Sequence, residues 1–188
     1  MSGLTIDVVA ALGSPEYVLC VMILLFGRGM DLLSTWIATP TLVLEANPIA
    51  RWLGWRAGVV VNVIACGGIA VLPLAAVSVT TMSVLVAARN LQSAWLVRVL
   101  GEHEYRSWIA ARYRETTRGV FLICLILQAS LLALVGASLM VFSRQQLVPF
   151  GVGFGIVTYA VAIAFFTFLG MRRAARAWAL AEVEISPR

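Results

Sequence analysis

Residues 27–51 read GRGMDLLSTWIATPTLVLEANPIAR. The stretch begins inside an apolar run, carries Arg28 and Asp31 within it, breaks at Pro40, passes Glu45, Asn47 and Pro48, and enters a second apolar run. Ionisable groups at membrane depth are costly, so each one there marks a candidate site whose partner has to be named. Arg28, Asp31, Thr35 and Thr39 follow steps of three, four and four, which places them on one face of a helix, with Ser34 beside them. If the helix ends near Thr39, Asp31 lies about 12 Å below that end at 1.5 Å per residue.

The composition around this stretch is that of a membrane protein. Of 188 residues, 61% are hydrophobic and 12% charged, and the mean hydropathy is +0.94. A soluble domain carries about 25% charged residues, and the apolar runs here approach the roughly 20 residues needed to cross a bilayer. The positive charge is all arginine and flanks the apolar runs, as topology signals and anionic-lipid contacts do. No basic recognition module stands out, so nucleic acid is not an expected partner. Cys20, Cys66 and Cys124 fall singly in three apolar runs, without metal-ligand or disulfide spacing.

The predicted architecture is all-α: a four-span antiparallel helix bundle with amphipathic cytoplasmic helices between spans 2 and 3. Residues 1–15 form a lead-in whose Leu4, Ile6, Val8, Val9 and Leu12 suit the interface. Asp7, Glu16 and the lack of a basic leader make the first apolar run a permanent span rather than a cleaved signal. Ser14-Pro15 starts that span, about 16–39, and Asn47-Pro48 starts the second, about 48–79, with a kink at Pro73. Val84, Ala88, Leu91, Trp95 and Val99 then form an apolar stripe, and residues 82–118 read as amphipathic helices with Glu102 paired to Arg106. Spans three and four cover about 120–142 and 147–170, and 171–188 form a tail. Arginine is concentrated in 89–118 and the tail, so the positive-inside bias places both termini and the long middle segment in the cytoplasm, with the Glu45 loop outside.

The candidate ligand-binding residues are Arg28, Asp31, Thr35, Glu45, Asn47 and Asn62. Asp31 and Glu45 are also the candidate catalytic pair and the only metal candidates, because two carboxylates can hold a cation, share a proton or divide acid and base roles. Asn47 has an independent use as a helix N-cap, and Asn62, alone in its span, suits a bond to a neighbouring helix. His103, the only histidine, falls across the membrane from Glu45 in this topology, and Glu102 and Glu104 fall on a solvated face. Gly151, Gly153 and Gly155 lack the preceding strand of a nucleotide loop and fit close helix packing instead. Gln128 is a further candidate wall residue. Tyr105, Trp108 and Tyr113 among arginines suit a helix on anionic lipid.

Asp31, Thr35 and the Glu45-x-Asn47-Pro48 loop, followed by Ile49 and Arg51, resemble the hallmark of a widespread prokaryotic membrane-protein family known as a domain of unknown function. The resemblance covers about residues 26–72 and implies a shared local architecture and a shared site; where members of that family often carry a lysine in the second span, this chain offers Asn62. It implies a bacterial or archaeal plasma membrane. Three functions follow as expectations: a polar locus near the outer leaflet that binds a lipid headgroup, ion or proton; an intramembrane enzyme on a lipid or isoprenoid, with Asp31 and Glu45 as acid and base; and a non-catalytic accessory or scaffold subunit. The expected partners are membrane lipids, with a second copy or a membrane-complex subunit as further candidates; no cofactor is called for.

Overall fold

A computed structural model describes residues 9–185 apart from 46 and 145, with side chains described as far as Arg172. All regular structure among them is helical: α1 Pro15–Ala38, α2 Pro48–Ile69, α3 Pro73–Leu100, α4 Glu102–Glu115, α5 Arg118–Phe142 and α6 Leu147–Ile185. Five helices are long and apolar enough to cross a membrane: α1, α2, α3, α5 and the Leu147–Arg172 part of α6. The chain is therefore a multi-pass membrane protein. Most of the lead-in segment and the side chains of the tail lie outside the described residues.

The starts of α1 and α2 follow the local chemistry. The Ser14 hydroxyl accepts the Tyr17 N–H at 3.1 Å, the Asn47 side-chain carbonyl accepts the Ile49 N–H at 3.0 Å, and a proline occupies the first turn of each helix. Gly54, at φ 65 and ψ −175, interrupts α2 with a conformation that only glycine adopts without strain. The bend brings the Trp55 indole N–H within 2.8 Å of the Pro40 carbonyl.

One reading changes. The single span over 48–79 is two helices: α2 ends at Ile69, the chain turns through Ala70–Leu72, and α3 begins at Pro73. Pro73 starts a helix rather than kinking one, because its missing N–H costs nothing in a first turn. Nor is the start of 82–118 a separate amphipathic element, since α3 continues unbroken to Leu100. Its Val84, Leu91, Trp95 and Val99 stripe faces outward, with Trp95 67% exposed, while Ala76, Ser83, Ala87, Ala94 and Val97 are buried. In a bilayer the apolar face turns to lipid and small residues form the packed face.

The helices pack in the order α1, α3, α6, α5, with α2 set loosely beside α1 and α3 and α4 lying against α3 and α6. Glycines set the closest approaches. A Cβ on Gly27 of α1 would lie 3.0 Å from Thr80 Cγ2 of α3. Gly151 and Gly155 of α6 face Val77, Ser78 and Thr81 of α3, and Gly153 between them faces Gly136 of α5. The GVGFG run thus serves two helix interfaces at once, the close-packing role its spacing predicts.

With α3 a separate helix, the loops fall differently. The Ala10 N–H bonds the Val71 carbonyl at 3.0 Å, so the described residues just before α1 sit with the α2–α3 turn at one end of the bundle. At the other end the α1–α2 loop meets the α3–α4 junction, where Glu102 binds Thr39 and Thr41. Glu45 and His103 therefore lie at the same end, not across the membrane from one another.

Candidate functional site

The polar face of α1 is met by three other elements. At its deepest point Arg28 donates from Nε to the Asn62 Oδ1 of α2 at 2.7 Å, and from one Nη to Asp31 Oδ2 at 2.8 Å and to the Ser83 hydroxyl of α3 at 3.2 Å. Asn62 in turn donates to the Gly58 carbonyl at 2.8 Å, which fixes its amide orientation. One helical turn along, Asn90 of α3 donates to Ser34 Oγ at 3.2 Å and to Thr35 Oγ1 at 3.1 Å. At the helix end, the Thr39 and Thr41 hydroxyls each donate to Glu102 at 2.6 Å, and the Thr41 N–H adds a bond at 3.2 Å.

These contacts form one stripe, from Arg28 through Asp31, Ser34, Thr35 and Thr39 to Glu102. Measured along α1, Arg28 is about 15 Å and Asp31 about 10 Å from the helix end at Ala38, so the charged pair lies well inside a helix long and apolar enough to cross a membrane. Towards the other end the stripe stops against an apolar cluster of Cys20, Leu24, Cys66, Ala70 and Ala76, in which Leu24 is wholly buried. The α1 face is polar along one half of the bundle and apolar along the other.

The pair itself is not sealed. The side chains of Arg28 and Asp31 remain 30% and 17% exposed, and α2, which supplies Asn62, packs only lightly on α1. Asn62 at this depth, Trp55 on Pro40 and the Tyr17 hydroxyl on the Gly67 carbonyl at 3.1 Å are the polar ties that hold α2 there.

Of the candidate residues, Arg28, Asp31 and Asn62 are in direct contact, and Thr35 lies one turn away on Asn90. Glu45 is close enough for its charge to act on Asp31, but its carboxylate accepts the Asn47 backbone N–H at 2.7 Å, and Asn47 caps α2. Gln128 lies exposed on α5, away from the site. Among the described residues no three His, Cys, Asp or Glu side chains come together to hold a metal ion.

Ser83 and Asn90 belong to the stripe without having been singled out from the sequence, and Glu102 belongs to it in place of the solvated face expected for it. Ser83 and Asn90 are two turns apart on α3, the spacing at which one face repeats. Glu102 is turned onto the α1–α2 loop by Gly101, whose φ of 85 favours glycine. It bonds the two threonines, rather than lying on a solvated face in a pair with Arg106. Burial works against its charge, but the Thr39 and Thr41 hydroxyls and the Thr41 and Val43 N–H groups outweigh burial and hold its carboxyl below the usual glutamate value of 4.5.

Compared with known proteins, the chain matches no family model, no curated protein and no solved structure.

Proposed function

We propose that the protein is a membrane-embedded binding protein whose Arg28–Asp31 cleft takes the polar headgroup of an amphiphile that enters between α1 and α2. The observation that carries this reading is the partial exposure of both charges, well in from the helix end and beside the loosely packed α2. Charges left accessible at that depth need a polar partner, since hydrocarbon cannot solvate them. The adjacent cation and anion suit a headgroup carrying both signs, and the light packing of α2 leaves its chains a route in from the lipid.

The stripe leads to the end of the bundle that holds Arg51, Arg56, Arg98, Arg106, Arg112, Arg114, Arg118 and Arg172, against Arg144 at the other. By the positive-inside bias that end is cytoplasmic, so the headgroup is received from the inner leaflet and the N-terminal lead faces outward. The Asp31, Thr35 and Glu45-x-Asn47-Pro48 pattern supports a prokaryotic plasma membrane and a site shared with the family it resembles.

A scaffold role is the second reading, favoured by the partners the carboxylates already have: Arg28 for Asp31 and the Asn47 N–H for Glu45. An acid–base role for that pair would require Glu45 to leave Asn47.

The test is thermal unfolding of the purified chain in detergent, titrated with zwitterionic phospholipid, for the parent and for Arg28→Gln/Asp31→Asn. Binding predicts a double variant as stable as the parent without lipid but stripped of the lipid-dependent rise in Tm. A variant that keeps the full rise refutes the cleft as the site, and one that unfolds without lipid favours the scaffold.

A further inference from the structure

α5 packs chiefly on α6. Its buried residues are Leu125 and Gly136, and a Cβ on Gly136 would meet the backbone of Gly153 of α6. The exposed side carries Gln128, the only amide or charged side chain in the helix after Arg118. Gln128 is the eleventh of 25 residues, about 15 Å in from the helix start, and α5 is the most apolar of the five candidate spans. Its amide makes no hydrogen bond to a described residue. Lipid chains offer neither donor nor acceptor, so an amide there gains a bond only from another protein surface.

The residues that share its face form a regular seam. Cys124, Gln128, Leu131, Val135, Ser138 and Phe142 follow alternating steps of four and three, and every one of them is exposed, Phe142 at 81%. That is the 3.5-residue repeat with which one helix meets another in a left-handed pair. The same face holds the matching recess. An open groove of about 410 Å³ is lined by Leu134, Val135, Ser138, Leu139 and Phe142. Val135, Ser138, Leu139 and Phe142 stand at i, i+3, i+4 and i+7, the diamond that receives one side chain of a facing helix. The short Ser138 leaves room between the three longer side chains.

We infer that the Gln128 face of α5 is the interface of a parallel homodimer, covered by the α5 of a second copy of this chain. Two copies inserted in the same sense carry Gln128 at the same depth, and a twofold axis between them sets one amide against the other. A glutamine side chain has both donors and an acceptor, so the two copies exchange a pair of hydrogen bonds. One polar residue in such a seam fixes its register and its partner, which apolar contacts alone do not. A different subunit would need its own polar group at this depth, whereas a second copy has one by symmetry. The interface lies on α5 and does not depend on what the Arg28–Asp31 cleft binds.

Two measurements on the full chain in lipid vesicles test this. Oxidation with copper phenanthroline is expected to join two copies through Cys124, one turn from Gln128 on the seam, and not through the buried Cys20 or Cys66. In Cys124→Ser/Ile123→Cys the exposed thiol lies at the same depth but off the seam, and no cross-link is expected. Energy transfer between donor- and acceptor-labelled copies, followed as added lipid dilutes the protein, gives the dimer dissociation constant. Gln128→Leu is expected to raise it about tenfold, and Gln128→Asn, which keeps an amide, to raise it less. At dilutions where both are monomeric, Gln128→Leu is expected to match the thermal stability of the parent. A variant that unfolds there places the partner of the amide inside its own chain and overturns the inference. A parent that stays monomeric at every dilution overturns it too, and leaves the face to lipid or to another subunit. So does an unchanged dissociation constant in Gln128→Leu, or equal cross-linking at positions 123 and 124.

Discussion

Gly153 of α6 and Gly136 of α5 offer a sharp test of the packing. A Cβ added at Gly153 would lie 2.5 Å from the Gly136 carbonyl oxygen, 2.9 Å from Met140 Cγ and 3.0 Å from Met140 N. A Cβ at Gly136 would lie 2.6 Å from the Gly153 carbonyl oxygen and 3.0 Å from Val157 N. The nearest obstructing atom in each case is a backbone carbonyl oxygen, so no rotamer change clears it. Carbon and carbonyl oxygen approach to about 3.3 Å, which means that Gly153→Ala must part α5 and α6 by roughly 0.8 Å. Overpacking of this kind costs about 1–3 kcal/mol, and alanine's better helix propensity returns only about 0.5–1 kcal/mol. The net expectation is a loss of about 1–2 kcal/mol, because α6 is the main neighbour of α5. Gly29→Ala and Gly68→Ala are the controls. Nothing lies within 4 Å of either added Cβ, so both are expected to be neutral or to gain about 0.5 kcal/mol. Unfolding in mixed micelles by titration with sodium dodecyl sulfate measures all three. A Gly153→Ala protein as stable as the parent would refute the close approach, and so would equal losses at Gly29 and Gly153.

Two further outcomes are expected. Because the Glu102 carboxyl titrates below its ordinary value, its bonds to Thr39 and Thr41 contribute stability that is complete above the ordinary glutamate range and is lost as pH falls through the depressed value; amide exchange at Thr41, corrected for intrinsic rate, should lose protection on acidification in the parent but be weakly protected and nearly pH-independent in Glu102→Ala, and a parent profile flat down to pH 3 would count against the latch. In a background without the native cysteines, single cysteines at Ile49 and Ser107 should label from the same side of the membrane, and one at Leu12 from the other; labelling of positions 49 and 107 from opposite sides would restore a four-span topology.

The membrane class and the first helix were legible because their signals are local. Ser14-Pro15 and Asn47-Pro48 fix helix starts through the atoms of neighbouring residues, and Thr39-Pro40 ends α1 where expected. The α2–α3 turn left no such mark. Ala70, Val71 and Leu72 are as apolar as the helices on either side, so the turn carries no polar or glycine punctuation, and Pro73 alone does not distinguish a kinked helix from a new one. The α3 stripe misled for a related reason: in water the apolar face of a helix is the buried one, whereas here Val84, Leu91, Trp95 and Val99 face outward and the serine- and alanine-lined face packs.

The site shows how far a single missed turn propagates. Residues on α1 were grouped correctly, since the 3.6-residue period depends on nothing outside the helix, and Asn62 was a natural partner from α2. Their remaining partners lie beyond Leu72, and an uncounted crossing reverses the side assigned to everything up to the next uncounted one. Glu102 was thereby set on the opposite surface from Thr39, although its carboxylate binds the Thr39 and Thr41 hydroxyls at 2.6 Å. Ser83 and Asn90 were lost differently, as ordinary polar residues in a segment read as surface helix, when each meets the α1 polar face. Pairing that polar face supplies the count that hydropathy alone lacks. Arg28, Asp31, Ser34 and Thr35 require hydrogen-bonding partners at matching depth within the bilayer, and the Ser83-to-Asn90 spacing on a separate crossing helix supplies them in register. A four-span reading leaves that face with Asn62 alone, so the demand of buried polar groups for partners favours a fifth crossing before any packing is considered.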